Sequence, residues 1–248
     1  MPSDLILLAA GAAVAGFVQG LTGFAFGLVA MSIWVWGIAP GVASVMVVVG
    51  GFSGQLLSAV RVRRMPPWAM LLPLLGGALL GIPLGVAVLP HLNAAVFKLG
   101  FGAMLVLWCP LMLFSQRLPR LTAGGPIADG AVGLGAGVLG GIGGFTGVLP
   151  TLWCTLRGMD KDVQRAVIQN FNLATLATTL AAYLATGVVT RAMWPMIAVV
   201  VPALMLPAML GAKVYVGLSE LAFRRIVLSL LTAAGLAMLV AALPQVLR

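Results

Sequence analysis

The feature that most limits the fold is a glycine-dense stretch inside an apolar segment. It covers residues 137–150 and reads GVLGGIGGFTGVLP. Each interior glycine costs roughly 1 kcal/mol relative to alanine in a helix, so Gly140, Gly141, Gly143 and Gly144 together predict a break in the helix. Within a membrane, such a break is tolerated only where it is buried in protein or lines a cavity. The stretch therefore predicts a broken helix around an internal site.

A second stretch of the same kind lies near the N-terminus. Residues 16–27 read GFVQGLTGFAFG, and a shift of 121 residues places residues 23–24 on residues 144–145, which are Gly-Phe in both cases. Weaker matches continue along the chain, such as Trp68 with Trp194 at an offset of 126. We interpret the two stretches as copies of one broken element.

The composition indicates whether this element folds in water or in a membrane. The 248 residues are 62% hydrophobic and 8% charged, and the mean hydropathy is +1.15. This leaves too little polar surface for a soluble globule. We predict an all-α, polytopic integral membrane protein with two repeated halves, residues 1–115 and 127–248, joined by a linker at 116–126. Each half has one broken or re-entrant element and three transmembrane helices.

The basic residues favour an inverted relation between the halves. If each broken element crosses the membrane, the 14 basic residues divide seven against seven between the two faces. If each element enters and leaves on one face, only Lys98, Arg191 and Arg248 lie opposite the other eleven. That excess is typical of a cytoplasmic face. We therefore predict inverted repeats in the inner membrane, and the net charge of +9 reflects topology instead of nucleic-acid binding.

The position of the acidic residues favours an anionic substrate. All five, Asp4, Asp129, Asp160, Asp162 and Glu220, lie at segment ends or in connectors. An anion requires the opposite of a carboxylate: backbone N–H donors, positive helix ends and neutral side chains. Polar groups at and after the two breaks could provide these donors. The candidate substrate-binding residues are Gln19, Thr22, Gly23, Phe24, Gln55, Gly143, Gly144, Phe145, Thr146, Gln169, Asn170 and Asn172.

Structural explanations of the same residues stay open. In these, the glycines only allow close helix packing, Thr22 bonds to its own helix, and the amides tie helices together. At helical spacing, Gln169 and Asn172 share one face and Asn170 lies on another. The sequence has no motif for ATP binding, metalloprotease or serine-hydrolase chemistry. We predict no catalytic residue, no metal and no cofactor, so the expected partners are a small anion and the lipid bilayer, with homo-oligomer formation left open.

The two stretches GFVQGLTGFAFG and GVLGGIGGFTGVLP, in a chain with two related halves, resemble the sulfite exporter TauE/SafE family of membrane permeases. The resemblance implies secondary transport of a small sulfur-containing anion, such as sulfite, a sulfonate or sulfoacetate, across the bacterial inner membrane. Members often carry denser glycine runs, whereas this chain has Phe24, Phe26 and Phe145, which narrow or reshape the expected site. Two alternatives stay open: a carrier of a non-sulfur anion such as a carboxylate, and a non-transporting membrane scaffold or assembly factor.

Overall fold

The computed structural model describes residues 2–23, 25–61, 65–115, 120–121, 124–214 and 220–246. Within them, helix follows helix, with short 3-10 turns at Leu89–His91 and Arg191–Met193. The α-helices are α1 (Pro2–Thr22), α2 (Phe26–Trp34), α3 (Pro40–Arg61), α4 (Trp68–Val88), α5 (Ala94–Leu113), α6 (Pro126–Gly143), α7 (Val148–Leu156), α8 (Lys161–Ala185), α9 (Trp194–Val214) and α10 (Glu220–Val246).

Seven of the described helices are long and apolar enough to cross a membrane, namely α1, α3, α4, α5, α6, α9 and α10. The prediction of a polytopic, all-helical membrane protein is therefore confirmed. Helices α2 and α7 have nine residues each, which corresponds to about 14 Å at the α-helical rise and about half of the hydrocarbon core.

Helix α8 differs from its predicted character. The sequence predicts three transmembrane helices in the second half, but α8, the first long helix after α7, is not among the seven apolar helices, although its 25 residues are long enough. The physical reason is its polar face, since Gln169, Asn172, Thr175 and Thr179 are all buried. Surrounding helices, instead of lipid, provide the environment of this face.

Helices α1 and α2 form a hairpin, here called the first hairpin. The indole Nε1 of Trp34, the last residue of α2, donates a hydrogen bond to the backbone oxygen of Leu7 over 3.2 Å. Gly11 lies directly against the same indole ring. The chain reverses at Gly23, whose φ of +85° is a left-handed conformation that glycine adopts without steric cost. The end of α2 therefore returns to the beginning of α1.

Helices α6 and α7 form a second hairpin of the same design. Trp153 Nε1 donates to Asp129 Oδ1 over 2.8 Å, and Arg157 forms an ion pair with the same carboxylate oxygen at 3.1 Å. Asp129 lies in the first turn of α6 and is only 4% exposed. The chain reverses at Gly144, where φ is +73°. In both hairpins a tryptophan of the short helix thus holds the beginning of the long one.

The break is narrower than the glycine clusters predict. Helix α1 continues through Gly20 to Thr22, and α6 continues through Gly140 and Gly141 to Gly143. Most of these glycines have a packing role instead. A side chain on Gly20 would meet the backbone of Ala208 in α9, and one on Gly141 would meet the backbone of α4. The packing explanation therefore holds for them, because only glycine lets two helix backbones approach this closely.

Packing between the two halves follows one pattern. The long helix of the first hairpin, α1, packs along α9, while the long helix of the second, α6, packs along α4. The last helices of the halves, α5 and α10, pack on each other, as do the third ones, α3 and α8. Every one of these pairs joins one half to the other, so both hydrophobic clusters of the core contain residues from the two halves.

The basic connectors collect at one end of the helix bundle, here called the basic end. The linker reaches the connector after α7, because Leu121 N donates to Leu156 O over 2.9 Å and Arg120 lies against Gly158. At the same end, Arg224 of α10 donates to Met112 O at the end of α5 over 3.0 Å. The linker and the connector after α7 are therefore in contact, and Arg117 lies outside the described residues.

Candidate functional site

The bends of the two hairpins meet beside α3. A Cβ atom added to Gly27, at the start of α2, would lie 3.4 Å from the backbone oxygen of Gly144. Along α3, Ser44 Oγ donates to Ile142 O of the second hairpin over 2.9 Å. Eleven positions further on, Gln55 Nε2 donates to Gly23 O of the first hairpin over 2.7 Å. Since α3 covers 40–61, the bends flank its middle.

A small cavity lies between the bends, with a volume of about 20 Å³. That is room for about one water molecule. It is lined by the starts of α2 and α7, by α3 and by α8. The structure brings six of the predicted site residues to this cavity, namely Gln19, Gln55, Gly144, Phe145, Thr146 and Asn172.

Two helix N-termini face this cavity. Phe26, Gly27 and Leu28 begin α2, and Gly147 and Val148 begin α7. The N–H groups in the first turn of a helix have no partner within the helix, and the helix dipole places a partial positive charge there. Both helices therefore place positive potential at one small volume, which suits an anion. The start of α2 also offers N–H donors, whereas the Val148 N–H of α7 donates to Phe145 O over 3.4 Å.

Asn172 joins the second bend to α8. Its Oδ1 atom accepts a hydrogen bond from Thr146 Oγ1 over 2.9 Å, and its side chain lies against Gly147. Asn172 is only 2% exposed. Because Oδ1 accepts this bond, the Nδ2 group of the amide is the part that can donate to a bound ligand.

Gln19 and Gln55 join the first bend to α3 in a reciprocal way. Gln19 Nε2 donates to Gly51 O of α3 over 3.3 Å, and Gln55 Nε2 of α3 donates to Gly23 O in the bend. Both side chains are buried, and the Oε1 atom of each has no hydrogen-bond partner among the described residues. These two amides therefore hold the bend in place and also leave two acceptors unpaired.

The wall of the small cavity contains two aromatic rings, those of Phe26 and Phe145. Phe145 stacks on Phe101 of α5, with ring centroids 4.8 Å apart and an interplanar angle of 19°. The ring of Phe26 fits against Gly50 and packs edge-on against Trp34. Both rings therefore occupy space beside the cavity.

A larger cavity of about 370 Å³ lies at the basic end. Three predicted site residues line it, namely Thr22, Gly23 and Gln169. Its wall also contains Lys161, Arg165 and Arg224, whose charges suit an anion. Leu28 lines both cavities, so the two lie next to each other.

In the sequence, these three basic residues indicated only the membrane topology. A signal for their role was present, because Lys161 and Arg165 are four positions apart and share one face of α8 with Gln169. The neighbourhood of Arg224 carried no such signal. It depends on α10 packing against α5, which is a contact between distant parts of the chain.

Other predicted site residues lie elsewhere. The Asn170 side chain donates to Ala166 O of its own helix over 2.8 Å and lines neither cavity. Gly143 lies under the ring of Phe145, where any side chain would collide with it. The Thr22 hydroxyl donates to Val18 O over 2.9 Å, which matches the structural explanation of this residue. Phe24 lies outside the described residues.

Comparison with protein families matches the chain to the model described as sulfite exporter TauE/SafE, over residues 8–238. No curated protein matches the chain, and no solved structure does. The matched region includes both bends, both cavities and most of every apolar helix. Since the match covers nearly the whole sequence, this multi-pass membrane protein belongs to the sulfite exporter TauE/SafE family.

Proposed function

We propose that the protein is a secondary carrier that moves a small sulfur-containing oxyanion, such as sulfite or a sulfonate, across the bacterial inner membrane. The observation that carries this proposal is the convergence of two helix N-termini and the Asn172 amide on one buried cavity. None of the described residues that line this cavity is acidic. Such a set of donors without a competing carboxylate suits an oxyanion, and the family match favours one that contains sulfur.

The proposal includes inverted repeats, α1–α5 and α6–α10. Each consists of a hairpin followed by three long helices. The base of the second hairpin lies at the basic end, where Leu121 bonds to Leu156. The base of the first lies at the opposite end, where Lys98 of α5 packs 4.6 Å above the ring of Trp36. The two hairpins then enter the membrane from opposite faces, and the basic end is the cytoplasmic face. Carriers with inverted repeats commonly bind their substrate where broken helices meet.

The larger cavity serves as the cytoplasmic entrance in this proposal. Lys161, Arg165 and Arg224 attract anions and raise their local concentration. An anion in this cavity meets Leu28 before it reaches Asn172, because Leu28 lines both cavities. The small cavity holds about one water molecule, so binding requires the hairpins to separate. Movement of the two halves against each other would provide this opening and expose the site to alternate faces.

Reconstituted vesicles test the proposal directly. Purified protein is placed in liposomes loaded with sulfite, methanesulfonate or acetate, and efflux is measured at a fixed membrane potential. We expect efflux of the two sulfur anions to exceed that of acetate and of protein-free liposomes. Faster efflux of acetate would mean a carboxylate carrier. A folded protein without flux of any of these anions would contradict transport and favour the membrane scaffold.

A further inference from the structure

Two side-chain oxygens beside the small cavity, those of Gln19 and Gln55, have no hydrogen-bond partner among the described residues. A site that binds only an anion does not explain them. Gln19 and Gln55 are 5% and 2% exposed, and both line the cavity. The Oε1 atom of each is buried and has no hydrogen-bond partner in the described part of the chain. A buried acceptor without a partner is costly, and two at one site indicate a ligand that brings a donor to them.

The orientation of both amides follows from their partners. Each Nε2 atom faces a backbone carbonyl oxygen, that of Gly51 for Gln19 and that of Gly23 for Gln55. Rotating either amide by 180° would place oxygen against oxygen and would lose the hydrogen bond. The donors of these two side chains are therefore used within the protein, whereas both acceptors stay unpaired and Gln19 Oε1 lies against Gly54 of α3.

The same cavity thus combines two kinds of recognition. The N-termini of α2 and α7 provide positive potential for negatively charged oxygens, and the start of α2 provides N–H donors. Gln19 and Gln55 provide acceptors, which repel a fully ionised oxyanion and attract an O–H or N–H group. A ligand that satisfies both sets carries one negative charge and a hydrogen-bond donor on the same small group.

We propose that the carrier selects singly charged oxyanions that carry their own hydrogen-bond donor, so that hydrogensulfite binds in preference to the sulfite dianion. This inference rests on the proposed function and specifies its substrate class. In the bound state, the donor of the ligand pairs with Gln19 Oε1 or Gln55 Oε1 while its charged oxygens face the two helix N-termini. No group of the cavity has to titrate, because none of the described residues that line it is titratable.

Titratable groups on the surrounding elements lie apart from the small cavity. On α8 they are Lys161, Asp162, Arg165 and Tyr183, and the Tyr183 hydroxyl donates to Gly141 O over 2.7 Å. The second hairpin contributes Asp129 and Arg157, which pair with each other, as well as the buried Cys154. None of these side chains lines the small cavity, so the preference belongs to the neutral amides.

A matched pair of anions tests this selection without a change of pH. Sulfamate and methanesulfonate have similar size and one negative charge, but only sulfamate carries N–H donors. Binding of each to the purified full-length protein is measured by calorimetry with choline as the cation. We expect sulfamate to bind about tenfold more tightly, because methanesulfonate leaves the buried acceptors unpaired. Equal affinities would overturn the selection and leave the proposed function intact, whereas no binding of sulfamate, methanesulfonate or sulfite would contradict the proposed function itself.

Variants then assign the preference to the two glutamines. The double variant Gln19→Met and Gln55→Met keeps the side-chain length and removes both acceptors, so sulfamate should lose its tenfold advantage over methanesulfonate. Gln245→Met, at an exposed amide that donates to its own helix, should retain the preference. A preference that survives in a double variant able to bind methanesulfonate would overturn the assignment. If the double variant does not fold, the comparison of the two anions with the wild-type protein still decides the selection.

A further experiment tests whether the two oxygens bind a cation instead of a donor group of the ligand. Amide oxygens also bind sodium ions, so the calorimetry is repeated with sodium in place of choline. We expect no change in the affinity of either anion. Binding that requires sodium in the wild type, and loses this requirement in the double variant, would overturn the proposal and assign the two oxygens to a cation.

Discussion

Asn172 and Asn170 stand two positions apart on α8, yet their surroundings differ. Asn172 accepts the Thr146 hydroxyl and lines the small cavity, whereas the Asn170 amide bonds to its own helix. We expect Asn172→Leu to reduce transport at least tenfold, because a donor to the anion is lost. Asn170→Leu is the matched control and should retain most of the activity. Flux in liposomes, divided by folded yield, measures both variants.

The opposite outcome has a clear meaning. If Asn172→Leu lowers folded yield and flux in proportion, its amide only ties the second bend to α8. The same conclusion follows if Asn170→Leu and Asn172→Leu lose equal activity per folded molecule.

We expect the Phe145 ring to limit the size of the anion that the small cavity can hold. Its ring lines the small cavity and stacks on Phe101. Phe145→Leu should destabilise the protein by about 1–2 kcal/mol through lost packing. It should also shift selectivity from methanesulfonate toward ethanesulfonate about tenfold, since one methylene in an apolar pocket is worth roughly 1–3 kcal/mol. Competition between the two anions in the liposome assay measures this shift.

Phe97 provides the control for this prediction. Its ring also stacks on Phe101, with centroids 6.4 Å apart, and it lines neither cavity. Phe97→Leu should cost similar stability without a change in selectivity. A selectivity shift of the same size in both variants would show that Phe145 acts through packing alone.

At the scale of an element, each hairpin depends on one glycine in a left-handed conformation. Gly23 has φ of +85°, and a Cβ atom added there would meet nothing within 4 Å. The cost of Gly23→Ala is therefore the backbone strain alone, roughly 1–2 kcal/mol. We expect a lower unfolding temperature and a larger loss of transport, because the Gly23 oxygen also accepts the bond from Gln55.

Gly100 is the matched control for the bend. It lies inside α5, and a Cβ atom there would also meet nothing within 4 Å. Because alanine is the better helix former, Gly100→Ala should leave transport unchanged and raise stability by up to about 1 kcal/mol. Thermal unfolding in detergent compares the two variants. A Gly23→Ala protein as stable and active as Gly100→Ala would mean that the bend tolerates alanine and that its conformation is not required.

At the scale of the whole molecule, the packing of linker and connector predicts the membrane topology. Single cysteines at positions 120 and 160 should react with an impermeant maleimide only from the cytoplasmic side, in a background with Cys109→Ala and Cys154→Ala. Cysteines at positions 91 and 190, which are exposed in the connectors at the other end, should react only from outside. Intact cells and inverted vesicles give the two sides. Labelling of positions 120 and 160 from different sides would contradict the inverted repeats.

The driving force is a second property of the whole molecule. No described residue that lines the small cavity is titratable, so a permanently ionised sulfonate should cross as a net charge. Methanesulfonate flux should then follow the membrane potential, at about 2.3 kcal/mol per charge per 100 mV, and change little with a pH gradient at fixed potential. Liposomes clamped with valinomycin and potassium separate the two forces.

Coupling to protons from outside the cavity would give a different result. Uphill accumulation of methanesulfonate driven by pH alone would contradict this prediction if it persisted after simultaneous neutralisation of His91, Asp129, Asp160 and Asp162. If neutralisation abolished it, one of these groups at the helix ends would carry the proton instead.

Several features followed from the sequence alone, because they depend on local or compositional properties. Apolar segments of sufficient length specify membrane helices whatever their neighbours are. A glycine at a reversal is also a local requirement, so the shared Gly-Phe pairs were enough to predict Gly23 and Gly144 as counterparts, and both have positive φ. The family resemblance rested on these same two stretches, and the match over residues 8–238 confirmed it.

Only the tertiary structure decided which polar and small residues belong to the site, because that depends on contacts between distant segments. Gly141 and Gly144 stand three positions apart, but one packs on α4 and the other forms the bend. Asn170 and Asn172 differ only in the helix face that meets the second bend. Each long hairpin helix packs on a helix of the other half, and this exchange brings the two bends together around one cavity. The sequence pattern of one half does not indicate which of its residues face the other half across this cavity.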